Sequence, residues 1–282
     1  MKGFINIIKP EGLNSTKVVN GVKRKFGVPC GHMGTLDPMA SGVLPVGIGK
    51  TSRLFDYLLK KDKTYIAEFR FGVSSDTLDI TGRVFNRAKC VPSEEIVREK
   101  LGFFVGEISQ IPPKYSAKNV YGKKGYDLAR KGVDFTLAPS KVTVNKFDII
   151  EKISDTDYRF IIDCKGGTYI RSLARDLGEK CGSLALMTKL ERIKSGAFSL
   201  ENGVPFDEFM DSDNPEKYIL PADMAVDFPK ISLPTEQATR ILNGLFDDYG
   251  YTDGFYRVYC EDEFWGIGVS ENGILKIKSY VR

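Results

Sequence analysis

Apolar and polar positions recur along the chain with two periods, and the switches between them predict its elements. Residues 4–8 form a short apolar run that predicts a strand, after which Lys9, Pro10, Glu11 and Gly12 turn the chain. Asn14 or Ser15 then caps a helix in which Val18, Val22 and Phe26 fall at helical spacing, with Lys23, Arg24 and Lys25 near the end where cations complement the dipole. Residues 42–49, rich in Val, Leu and Ile, predict a strand, and residues 51–60 a helix. From 63 to 72 the chain alternates Tyr65, Ala67, Phe69 and Phe71 against Thr64, Ile66, Glu68 and Arg70, the period of a half-buried strand. Strands follow at 141–150 and 158–164. Gly166 and Gly167 break the second, and 169–179 predicts a helix carrying Arg171 and Arg175 on one face at i and i+4.

Two stretches depart from this regularity. Between 106 and 132 the texture turns to Pro, Lys, Tyr, Ser and Gly before a short helix at 126–131, a long polar loop of the kind that is either functional or disordered. A charged connection over 207–217 precedes a last unit, from about 232 to 282, with one helix near 235–244 and strands around Tyr256, Trp265 and Ile274. The mixture of strands and helices makes the chain α+β.

A chain of 282 residues, 42% hydrophobic, suits one large globular domain and a small one. It has no apolar run of about 18 residues, and Pro10 interrupts the N-terminus before a signal-peptide core, so a soluble, cytoplasmic protein is expected. The five cysteines (30, 90, 164, 181, 260) are odd in number and scattered, which predicts reduced thiols; with a single histidine, a His-rich zinc site is excluded. The net charge of +4 hides a division: residues 1–200 carry 34 Lys or Arg against 21 Asp or Glu, whereas 201–282 carry 7 against 16. A basic body favours a polyanionic partner, and the acidic tail does not.

The chemistry concentrates in residues 31–49, GHMGTLDPMASGVLPVGIG, which hold five glycines, the only histidine, His32, and a single acid, Asp37, between Leu36 and Pro38. Gly34 and Gly42 permit backbone angles closed to other residues, and Pro38 bars its predecessor from the helical region, so the loop is ordered. Asp37 is then either a turn aspartate, the commonest fate of an Asp-Pro pair, or a site carboxylate; anchoring of the loop on the 42–49 strand favours the second.

GHMGTLDPMASGVLPV resembles the central motif of the TruB-type tRNA pseudouridine synthases. Three further stretches match that family in the same order: KTYIAEFRFGVSSDTLDITG from Lys63, QIPPKYSAKNVYGKKGYDLAR from Gln110 and GGTYIRSLARDLG from Gly166. The resemblance implies a pseudouridine-synthase-like, mainly antiparallel mixed sheet with flanking helices over residues 1–230, an RNA-gripping insertion at about 106–132, and a PUA-like β-rich module over 231–282. It implies Asp37 as the catalytic residue, Tyr65 stacked on the target base, Tyr169 lining the same pocket and Leu190, before Glu191 and Arg192, closing its apolar wall. Lys114, Tyr115, Lys123 and Lys124, with Lys118, Tyr121 and Tyr126, would contact RNA by charge and stacking. The implied partner is the T-stem-loop of tRNA, modified at uridine 55 by a monomer without an obligatory protein partner. Lys23, Arg24 and Lys25 read as helix capping in preference to RNA contact.

Turning uridine into pseudouridine breaks the C1'–N1 bond, rotates the base and rejoins it through C5, with no redox change or energy input, so no cofactor and no metal are implied. The carboxylate acts ionised, as nucleophile or as base. A permanent cation beside it is physically wanted, and Arg171 is the candidate. Tyr65 is also the candidate to take the C5 proton. For His32 the reading is a wedge in the space of a flipped nucleotide, the competing idea being a general base. Two rivals stand beside this enzyme: a non-catalytic tRNA-binding protein or tRNA-folding chaperone, for which a carboxylate among phosphates costs affinity, and a P-loop enzyme, for which GIGKTS at Gly47 lacks the upstream glycine at the required spacing.

Overall fold

The structure, a computed structural model, describes every residue except Met1, Lys89, Ala117, Tyr121, Phe246, Asp247 and Arg282, and every side chain of the rest except those of Asn86, Lys124 and Asp248. The chain forms two compact units, one of Met1–Pro38, Gly42–Leu59 and Ser195–Arg282, the other of Met39–Ser41 and Lys60–Lys194.

In the first unit the strand Gly3–Lys9 pairs antiparallel with Ser41–Ile48, from Gly3 opposite Ile48 to Lys9 opposite Gly42. Cys30–His32 pairs with the far end of the same strand, and Val204–Pro205 runs parallel to Ile7 and Ile8. The helix Ser15–Phe26 buries Val18 and Val22; the Asn14 side chain caps it by accepting the Lys17 N–H at 2.8 Å, and Phe26 packs its ring 5.9 Å from Phe209 of the helix Phe206–Asp211. The helix expected over 51–60 is instead a 3-10 turn, Gly49–Leu54, followed by a short α-helix, Phe55–Leu59. The Ser52 hydroxyl donates to the Gly49 carbonyl at 2.8 Å and Thr51 Oγ1 accepts the Gly3 N–H at 2.9 Å, side-chain bonds that favour the tighter turn.

A second sheet of this unit orders Lys230–Leu233, Gly254–Cys260, Glu263–Glu271, Gly273–Tyr280 and Asp248–Tyr251, with the first pair parallel and the rest antiparallel. The three expected strands are there, and Lys230–Leu233 and Asp248–Tyr251 join them as short edges. The helix Thr235–Leu242 adds Ala238 and Ile241 to the core of Ile231, Leu233, Val258, Trp265 and Leu275. A separate cluster unites Tyr259, Phe264, Ile267 and Val281 with Phe4, Met33, Val43 and Leu54. The C-terminal sheet thus shares apolar surface with the first strands of the chain.

The second unit is built on a sheet in the order Ala185–Ser195, Lys63–Phe71, Asp157–Cys164, Ser140–Lys152 and Gly106–Gln110. Burial alternates along Lys63–Phe71 as the residue pattern requires, and Phe69, Phe147 and Phe160 interlock with ring centroids 4.8 to 6.1 Å apart. The helices Glu94–Leu101 and Ile170–Lys180 bury Val97, Leu101, Leu173 and Leu177. The architecture is α+β with mainly antiparallel sheets. Among the described residues no helix is long and apolar enough to cross a membrane.

Candidate active site

Asp37 sits half-buried in the loop between the strands Cys30–His32 and Ser41–Ile48 of the first unit. Gly34 and Gly42 take φ of +124° and +101°, angles that a side chain would strain, and between them Leu36 and Ala40 are buried. The loop is tied down through its backbone. The Ser15 hydroxyl donates to the Leu36 carbonyl at 2.9 Å and accepts the Leu36 N–H at 3.0 Å, while the Pro38 carbonyl accepts the Gly12 N–H at 2.8 Å and Lys9 Nζ at 3.2 Å. Lys9 is fully buried and spends its other donors on the carbonyls of Pro10 and Leu13. His32 lies in the first of the two strands, opposite Val46 and half-buried.

Tyr65, Arg171, Tyr169 and Leu190 all belong to the second unit. Tyr65 lies on the buried face of Lys63–Phe71, paired with Ile162, and Leu190 and Arg192 share the buried face of Ala185–Ser195. Arg171 stands in the first turn of Ile170–Lys180 with its guanidinium buried: Nη1 donates to the Thr77 carbonyl at 3.1 Å, Nη2 to the Tyr115 carbonyl at 3.0 Å, and Asp79 Oδ2 lies 3.6 Å from Nη1. Asp79 is itself held, its Oδ1 accepting Thr77 Oγ1, the Thr81 N–H and Thr81 Oγ1 at 2.7, 3.0 and 2.5 Å. Between Thr77 and Asp79, Leu78 adopts φ +63°, a conformation that costs a branched residue about 1 kcal/mol and is kept where the surroundings demand it.

Tyr169 precedes that helix, half-buried, and the Gln110 amide clasps its backbone, accepting the N–H at 2.8 Å and donating to the carbonyl at 3.1 Å. Ser172 and Arg175 both donate to the Ile111 carbonyl, at 2.8 and 3.0 Å. The helix start and the head of the 106–132 segment are therefore one bonded assembly, and Arg171 and Arg175, expected on one face, both use it.

Val120 and Leu128 of this segment form a small core with Phe135 just beyond it. Lys123 is exposed on the strand Lys123–Lys124 opposite Val120. Lys114 is exposed but paired with Asp134 at 2.8 Å, and this partner holds the Asp134 carboxyl below its ordinary range. Tyr115 is half-buried and gives its carbonyl to Arg171. The Lys124 side chain and Tyr121 lie outside the described residues.

Sequence reasoning missed Asp79, Lys63 and Arg192. Asp79 announced itself only as an acid flanked two residues away on each side by threonine, a local hydrogen-bonding pattern. Lys63 was in phase with Tyr65 and Ala67 and so falls on the apolar face, where burial first, and Arg192 second, pull its pKa from 10.5 down to about 8. Arg192 alternates with Leu190 in the same way.

Residues 23–170 match the model of the TruB family pseudouridylate synthase N-terminal domain, and residues 171–227 that of the tRNA pseudouridylate synthase B C-terminal domain. A protein of Clostridium kluyveri named tRNA pseudouridine synthase B is 39% identical over 282 residues, 96% of each chain. One of Aquifex aeolicus with the same name is 38% identical over 284 residues, 99% of each. A chain in the crystal structure of a Cbf5–Nop10–Gar1 complex superposes with a TM-score of 0.71 at 26% identity, over 98% of this chain and 79% of its own. Matching models on both sides of residue 170, relatives aligned almost end to end and a shared fold lead to one conclusion: the chain belongs to the TruB family of pseudouridylate synthases and is an enzyme.

Proposed function

We propose that this enzyme converts the T-loop uridine of tRNA, position 55, to pseudouridine, with Asp37 as the reacting carboxylate. The observation that carries the reading is the membership just given, since the aligned relatives bear the name tRNA pseudouridine synthase B over nearly their whole length. The loop geometry supports the choice of residue: Asp37 is half-buried, and the backbone of both its neighbours is bonded to the 9–15 segment. Such fixing is what a group that must meet one atom of a bound nucleotide requires.

In the reaction the C1'–N1 bond breaks, the C1'–C5 bond forms, the C5 proton leaves and N1 gains one, so the product is an isomer of the substrate. Asp37 acts ionised, by attack on the sugar or base or by removing a sugar proton. Arg171, aligned by Asp79 and two carbonyls, supplies a permanent positive charge that keeps the carboxylate ionised. Tyr65 stacks on the base and takes the C5 proton, Tyr169 and Leu190 line the base pocket, and His32 fills the place of the flipped nucleotide. Residues 1–230 act as the catalytic domain, a division supported by matched models that end at 227, with 106–132 gripping the T-stem-loop through Lys114, Tyr115, Lys123 and Lys124 and with 231–282 as an accessory module. The enzyme works as a cytoplasmic monomer.

The test is to incubate an unmodified tRNA transcript carrying C5-tritiated uridine with the protein, follow tritium release, and map the product by mass spectrometry. Release with pseudouridine at position 55 is expected; release only from another RNA, or from another position, removes the substrate assignment.

A further inference from the structure

We infer that Ser15 is a positioning residue for Asp37, setting the geometry of the reacting carboxylate through the Leu36 peptide groups; this rests on the reading of Asp37 as that carboxylate. The first helical residue of a segment such as Ser15–Phe26 is commonly close enough to its cap to help satisfy the open N–H groups. Here Asn14 does that work, accepting the Lys17 N–H at 2.8 Å, and the Ser15 hydroxyl turns away from its own helix. It uses both of its capacities on one residue of the loop, donating to the Leu36 carbonyl at 2.9 Å and accepting the Leu36 N–H at 3.0 Å. Serving both groups of one residue, the hydroxyl fixes the Leu36 backbone in place and in rotation, as a strand partner does.

Ser15 is 3% exposed and so is Leu36, so water does not readily replace the hydroxyl if it is lost. On the other side of Asp37 the Pro38 carbonyl is held by the Gly12 N–H and Lys9. Without Ser15 the loop keeps that second tether, so Asp37 remains in the site with its approach angle no longer fixed. The loss therefore falls on turnover and not on RNA affinity. A misplacement of about 1 Å costs a reaction of this kind about 100-fold.

The experiment measures single-turnover rate, KM, tRNA affinity by filter binding and thermal midpoint for Ser15→Ala, Ser15→Thr, Asn14→Ala and Asp37→Asn beside the wild type. Ser15→Ala is expected to turn over about 10- to 100-fold more slowly with KM and affinity within about threefold. Ser15→Thr, which keeps the hydroxyl, is expected within about threefold of wild-type rate, and Asn14→Ala, which removes the neighbouring cap without touching the loop, at the wild-type rate despite a lower midpoint. Wild-type turnover in Ser15→Ala while Asp37→Asn is dead overturns the inference alone. So does Ser15→Thr as slow as Ser15→Ala, or an Asn14→Ala enzyme that loses rate in proportion to its midpoint. Turnover retained by Asp37→Asn overturns the reading of Asp37, and the inference falls with it.

Discussion

Asp79 Oδ2 lies 3.6 Å from Nη1 of Arg171, and both side chains are almost completely buried. The two oxygens of Asp79 divide their work: Oδ1 takes three hydrogen bonds from Thr77 and Thr81, which leaves Oδ2 aimed at the guanidinium. A buried arginine pair of this kind adds little net stability over an apolar pair, but removing one partner strands the other charge at a cost of about 3 to 5 kcal/mol.

Asp79→Asn should therefore lower the thermal midpoint and cut turnover by at least about tenfold, because Arg171 then loses the buried charge that aligns it from the Asp79 side and a factor of ten is only about 1.4 kcal/mol. Unfolding by urea and a single-turnover assay check both effects. An active, equally stable variant would show that the carbonyls of Thr77 and Tyr115 suffice.

On the proposed reading, in which Asp37 acts after the RNA has docked, Asp37→Asn should abolish turnover while tRNA affinity stays within about tenfold, or about 1.4 kcal/mol. Filter binding and tritium release on one preparation separate the two. Retained turnover takes Asp37 out of the mechanism.

Lys63 carries a prediction about pH. Its folded-state pKa is lowered from 10.5 to about 8, so between those values the unfolded chain holds a proton that the folded chain has released, and stability from this group rises with pH across that window. Below about 8 both states are protonated and the cost of burying the charge is felt in full. Between pH 7 and 10 the wild type should gain about 2 kcal/mol relative to Lys63→Met. Urea midpoints at the two pH values measure it; parallel pH curves for the two proteins refute the shift.

Replacing Lys123 and Lys124 by Ala should flatten the salt dependence of tRNA binding by up to about 1 in logarithmic slope per lost phosphate contact. The acidic tail is better tested by substitution than by truncation at 232, because Tyr259, Phe264, Ile267 and Val281 pack with Phe4, Val43 and Leu54, and cutting them away exposes that core. Lys276→Ala with Lys278→Ala should leave the slope nearly unchanged. A slope that collapses in this pair instead would make the tail the main RNA contact.

Much of the architecture could be read from local pattern. Alternation set which face of Lys63–Phe71 is buried, and glycine and proline marked an ordered Asp37 loop, because these signals act over a few residues and depend on backbone sterics and burial alone. The family resemblance rested on the order of whole motifs, and the matched models and relatives agree with it. Where a side chain overrode propensity, as Ser52 does by bonding the Gly49 carbonyl, the pattern predicted a helix and the chain took a tighter turn.

Which group serves which partner was decided only in three dimensions. Asn14 and Ser15 are equal candidates for a cap, and choosing between them needs Leu36, 21 residues away, to occupy the Ser15 hydroxyl. Arg171 is one arginine of a helix face in the sequence; its alignment comes from Thr77, Asp79 and Tyr115, 94, 92 and 56 positions distant along the chain. Lys63 shares the phase of Tyr65 and Ala67, so the pattern places it on the buried face, but its lowered pKa follows from the burial and the Arg192 charge that the fold brings to it. Periodicity reports whether a residue is buried, whereas hydrogen-bond partners and local dielectric depend on what the fold brings beside it, and that is the work of tertiary structure.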